Sequence, residues 1–71
     1  MGFDYNKLLG RMREKSITQK TLACQIHNTA STLNQKLNNK GFFKQTEIYS
    51  ICSLLEIPTI EIGEYFFNKR V

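Results

Sequence analysis

From Ala30 to Asn39 the chain reads ASTLNQKLNN, and seven of the ten side chains in that stretch can form a hydrogen bond. Ser31 carries a hydroxyl, while Asn34, Gln35 and Asn38 carry carboxamides that both donate and accept. On a helical wheel Ala30, Ser31, Asn34 and Gln35 lie away from Leu33 and Leu37. A carboxamide can pair bidentately with adenine N6 and N7, and a serine hydroxyl suits several bases. An alanine methyl can touch the thymine methyl, and each good bidentate pair is worth ~1–3 kcal/mol of discrimination. These residue types are therefore suited to reading base edges, provided a helix presents them.

Other constellations are weaker. Cys24, His27 and Cys52 contain no CxxC pair and are too few for a closed tetrahedral zinc site. No nucleophile or positioned carboxylate accompanies His27, so it is expected in a turn and not as a catalytic base. Cys52 is expected in the core. No enzyme activity, metal, cofactor or small-molecule substrate is expected.

The charge is unevenly placed. Residues 1–46 carry eight basic side chains against Asp4 and Glu14, a net +6, whereas residues 47–71 have a net −2. Between Lys15 and Thr46 there is no acid at all. Such a distribution fits either a polyanion-binding surface or a solvated basic face. With 71 residues, of which 41% are hydrophobic, one domain with a small core is expected. No apolar run approaches the ~20 residues of a membrane span. The start MGFDYN lacks the features of a signal peptide and, with Asn6, misses the myristoylation pattern. A complete cytoplasmic protein is therefore expected.

Apolar periodicity predicts the elements that position the polar stretch. A first helix follows a cap at Asp4, with Tyr5, Leu8, Leu9 and Met12 on one face. Thr18 caps a second helix running from about Gln19 to Ile26. His27, Asn28 and Thr29 are poor helix formers. A continuous helix from Gln19 to Asn38 would be ~30 Å long, poorly matched to so short a chain. A break is expected there, with Thr29 capping a third helix over Ala30–Asn38 and Gly41 suited to the turn after it. A fourth helix is expected from roughly Gln45 to Glu56. A short final one, about Thr59 to Glu64, would bury Ile60 or Ile62. Tyr65, Phe66 and Phe67 read mainly as core, and part of that cluster could support a homodimer.

From Gln19 to Asn38 the sequence resembles the twenty-residue helix-turn-helix unit of phage Cro and repressor proteins. Ala23 stands at the fifth position, where a small residue lets the helices cross closely. Leu22, Ile26 and Leu33 fill the usual apolar positions, and Thr18-Gln19 opens the unit. There are two departures: His27 replaces the usual glycine of the turn, and Lys36 stands where an apolar residue is common. One helix before and two after match the five-helix, lambda-repressor-like all-α domain. The strings MGFDYNKLLGRMREK and EIGEYFF look like small Cro-like regulators of Gram-positive phages.

The resemblance implies a transcriptional regulator of the lysis–lysogeny switch that binds double-stranded operator DNA. Bases would be read by Ala30, Ser31, Asn34 and Gln35. Phosphates would be held by Gln19, Lys20, Thr29, Lys36, Asn38, Asn39, Lys40 and Lys44. It also admits an antirepressor, in which Ala30, Ser31, Gln35 and Asn38 pack against the cognate repressor protein of the phage.

Overall fold

Asp4 begins the first helix by accepting the Asn6 N–H at 2.8 Å, so Tyr5 takes the cap position and α1 runs Asn6–Glu14. The computed structural model describes residues 2–69; Arg70, counted above in the chain's acidic part, lies outside them. After α1 come α2 (Gln19–Gln25), α3 (Ala30–Leu37), α4 (Gln45–Leu55) and α5 (Ile62–Phe66), the last entered through a 3₁₀ turn at Thr59–Glu61. Among the described residues the only β pairing is an isolated antiparallel bridge between Phe3 and Lys69. The protein is all-α with five helices, as the periodicity predicted.

Each helix contributes its apolar stripe to one core. Leu8 and Met12 come from α1, Leu22 and Ala23 from α2, Leu33 and Leu37 from α3, and Ile51 and Leu55 from α4, with Tyr65 and Phe66 closing it. The break between α2 and α3 is present. Thr18 and Thr29 cap the two helices, each hydroxyl accepting an N–H three residues on, from Thr21 at 3.2 Å and Thr32 at 3.1 Å. An unbroken helix over this segment would span the whole 30 Å long axis of the molecule.

The helix ends share a device that periodicity does not reveal. Ser16, His27, Asn39 and Glu56 have φ of 56°, 59°, 63° and 55°, and each is the left-handed residue that closes a helix. The next N–H then reaches back five residues: Ile17 to Met12, Asn28 to Ala23, Lys40 to Gln35 and Ile57 to Cys52, at 2.8–2.9 Å. None of the four is glycine, and no described glycine has positive φ. The expected turn at Gly41 is thus made by Asn39, a residue type that tolerates the left-handed region.

The final segment also differs in detail. Ile60 is 91% exposed while Ile62 packs against the core, because the 3₁₀ turn directs Ile60 outward. Tyr65 and Phe66 are buried, but Phe67 is 53% exposed.

A left-handed backbone costs a residue with a Cβ about 1 kcal/mol, offset in part by the extra unfolded-state freedom of glycine. His27→Gly and Ser16→Gly should each raise stability by up to ~1 kcal/mol. The gain should appear as a higher urea midpoint at unchanged slope. A lower midpoint for His27→Gly would mean that the imidazole makes a stabilising contact outweighing the strain.

Candidate functional site

The exposed side of α3 presents Ala30, Ser31, Asn34, Gln35 and Asn38 together, the face the helical wheel predicted. Leu33 and Leu37 point inward and fasten the helix to the core. The carboxamides are not equivalent. Asn34 donates to Gln19 Oε1 at 3.3 Å and accepts from Asn38 Nδ2 at 2.6 Å, while Asn38 also donates to the Asn34 carbonyl. This lateral chain of amides ties the start of α2 to the outer face of α3. Asn34 would have to give up both bonds to pair bidentately with a base. Gln35 makes no side-chain hydrogen bond within the described residues and is the amide ready for a partner.

The residues expected at phosphates are placed in several ways. Lys20, Lys40 and Lys44 are exposed, and no carboxylate among the described residues pairs with them. Thr29 is exposed, but its hydroxyl caps α3. Gln19 and Asn38 belong to the amide chain just described. Two expectations need correction.

Lys36 turns inward. Its ammonium lies 2.7 and 2.9 Å from the two oxygens of Glu47, and the side chains are only 12% and 9% exposed. A paired, buried cation is not available to a phosphate. The same carboxylate accepts the Asn28 amide at 2.8 Å and the Lys44 N–H at 2.8 Å. Glu47 thus joins the α2–α3 turn, the body of α3 and the start of α4. Burial alone would raise its pKa, but Lys36, the Lys44 N–H and the Asn28 amide outweigh that and hold it below its usual value. Sequence reasoning counted Glu47 only as a charge. Its place three residues after Lys44, in the first turn of an amphipathic helix, was the available signal.

Asn39 is likewise committed. Its carboxamide accepts the Phe3 N–H at 2.8 Å and donates to the Phe3 carbonyl at 2.9 Å, acting as a strand partner for one residue. Phe3 is held from its other side by the bridge to Lys69, beside an Asp4 N–H to Asn68 carbonyl bond of 2.6 Å. A Cβ on Gly2 would stand 2.6 Å from the Asn39 side chain, so glycine is what lets the amide close on the backbone.

The uneven charge of the sequence is folded back on itself in part. Lys7 pairs with Glu64, Lys15 with Glu56 and Lys36 with Glu47, each a cation of residues 1–46 with an acid of the remainder. Arg11 donates to the carbonyls of Leu55 and Glu56 at 2.9 Å, capping the end of α4. The outer face of α3 itself carries no charge. Immediately after it, Phe42 is 82% exposed, an aromatic that sequence reasoning placed only as a lead into α4.

Fold and face together describe a small all-α domain of five helices whose α3 presents one short, neutral, amide-rich side to solvent. The chain belongs to the family described as "Protein of unknown function (DUF739)", whose model matches residues 1–69. It is homologous to the modulator of repression (MOR) of the temperate bacteriophage TP901-1 from Lactococcus lactis. The solution structure of that protein is 38% identical in sequence and superposes with a TM-score of 0.79, covering 100% of this chain and 96% of the other. No curated protein matches the chain.

Breaking a buried ion pair from one side costs on the order of 3 kcal/mol, so Glu47→Ala should lose about that much in urea denaturation. Replacing both charges, as in Lys36→Met with Glu47→Leu, should recover only part of the loss, because the Asn28 amide and the Lys44 N–H still lack their acceptor. The pH dependence has a definite sign. Because the folded pKa of Glu47 is depressed, its contribution is complete above the ordinary carboxylate range and is lost as pH falls through the folded value. The wild-type Tm should therefore fall below about pH 4.5, and the fall should be shallower in Glu47→Gln.

Proposed function

We propose that this protein modulates repression in a phage lysis–lysogeny switch by binding the repressor of the same phage through the outer face of α3. The observation that carries the reading is the character of that face. Ala30 and Ser31 at its start are small, Gln35 is a free amide, and the cation expected on the helix, Lys36, is held inside by Glu47. A flat, neutral, hydrogen-bonding helix suits close packing against a protein helix. The full-length likeness to a phage modulator of repression supports the same reading. On this view the protein acts in the cytoplasm of the host, and no helix among the described residues is long and apolar enough to cross a membrane.

A second reading, operator DNA as the direct target, is favoured by Lys20, Lys40 and Lys44, which stay exposed and unpaired among the described residues around α2 and α3. Gln35 would then be the principal base-reading amide, with Ser31 beside it. This surface has fewer free cations than the sequence implied, which weakens the electrostatic attraction that dominates DNA affinity.

The two readings separate in one comparison. The purified protein is mixed with the repressor alone and with operator duplex alone, and the complex mass is measured at low and high salt. Repressor binding is expected, with release of the repressor from its operator in a mobility-shift assay. Ser31→Trp should abolish that complex while changing stability by no more than about 0.5 kcal/mol, because the site is exposed. Salt-sensitive binding to the duplex, with no complex with the repressor, would establish the second reading instead.

A further inference from the structure

Residues 40–44 alternate in exposure: Lys40, Phe42 and Lys44 face solvent while Gly41 and Phe43 turn toward the protein. A single exposed aromatic is ordinary on a protein surface, but this one is unusually well braced. Before it, the Lys40 N–H is bonded to the Gln35 carbonyl at 2.8 Å, and Asn39 is clamped to the backbone of Phe3. After it, Phe43 packs edge-on against Tyr5 and Phe66 with centroids 5.5 and 5.4 Å away. Lys44 is held through its N–H to Glu47. An aromatic on so constrained a loop loses little further backbone freedom on binding, the circumstance in which an anchor residue is most effective.

We infer that Phe42 is the apolar anchor of the repressor-binding surface, entering a pocket with an acidic rim that Lys40 and Lys44 meet on either side. The inference rests on the repressor-binding reading and names the chemistry of the partner. Charge complementarity supplies the rim, since neither lysine has a carboxylate partner among the described residues. A second copy of this chain is a poor occupant. Of the six acids, Glu14, Glu47, Glu56 and Glu64 are already ion-paired and the other two, Asp4 and Glu61, are half-buried, so that copy offers little free acid to meet the lysines. Duplex DNA is a weaker match. A phenyl ring can touch a thymine methyl or wedge between base steps, but the α3 face beside it is neutral and, with Lys36 held by Glu47, brings few cations to phosphates.

The test is calorimetric titration of the full chain with the purified repressor of the same phage, comparing wild type, Phe42→Ala, Phe42→Leu and Lys40→Gln/Lys44→Gln. Phe42→Ala should weaken binding at least about 30-fold, as loss of an anchor does, with an unchanged Tm. Phe42→Leu should keep most of the affinity. The double lysine variant should lose most of the salt dependence of the affinity and, in stopped-flow mixing, associate on the order of tenfold more slowly. If wild type binds and Phe42→Ala binds equally well, the anchor assignment fails while the proposed function stands. If wild type does not bind the repressor, both fail. A dimer of this chain in sedimentation, or binding to operator duplex, that Phe42→Ala abolishes while repressor affinity is unchanged would give Phe42 another occupant and overturn the inference.

Discussion

The carboxylate of Glu47 holds α3 and its outer face in place. Through one side chain it receives the Lys36 ammonium from α3, the Asn28 amide from the turn before α3 and the Lys44 N–H from the start of α4. Apolar packing of Leu33 and Leu37 keeps α3 against the core, but hydrophobic contact is non-directional and tolerates rotation and sliding. Hydrogen bonds to a buried carboxylate do not, since a misplaced partner leaves a charge unsatisfied in a poorly solvated site. The angle at which α3 offers Ser31 and Gln35 is therefore set from behind the helix.

That arrangement changes the meaning of the charge pattern. Read along the chain, a basic stretch followed by an acidic one suggests a surface made for a polyanion. In three dimensions Lys7, Lys15 and Lys36 find Glu64, Glu56 and Glu47, and the two stretches neutralise each other in part. The pairs at Lys7 and Lys15 involve exposed carboxylates and contribute little to stability. The Lys36–Glu47 pair is the one that bears on α3: it takes the helix's cation inward and leaves a neutral outer face, next to a loop on which Lys40, Phe42 and Lys44 remain exposed. A neutral helix beside a basic, aromatic loop is the surface from which the repressor-binding proposal starts.

The helix ends show a similar economy of local means. Four helices close on a left-handed residue, and at none of them is it glycine. In each case a back-reaching N–H bond satisfies a carbonyl that the helix would otherwise leave open. At two of them the following residue, Ile17 or Ile57, packs on or within the core. Tertiary packing thus overrides a local preference worth about 1 kcal/mol per site. After His27 it is Asn28 that is held, by its N–H to the Ala23 carbonyl and its amide to Glu47, and those bonds fix the left-handed backbone where the resemblance led one to expect glycine.

By itself the sequence determined the number of helices, their order and nearly all their boundaries, because the apolar residues repeat with a period close to 3.6 and Thr18 and Thr29 cap the helices flanking the break. It also determined which side of α3 faces outward, since Leu33 and Leu37 can only be buried together. What it could not determine was the fate of each polar side chain on or near that helix. Lys36 and Lys40 look alike in the sequence, yet Lys36 is sealed against Glu47 and Lys40 is free. Asn38 and Asn39 are neighbours, yet one joins the surface amide chain and the other clasps the backbone of Phe3. Hydrophobic burial follows local periodicity, whereas a polar group is committed by whichever partner the folded chain brings within about 3 Å. Those partners lie 11 and 36 residues away, and only the tertiary structure puts them there.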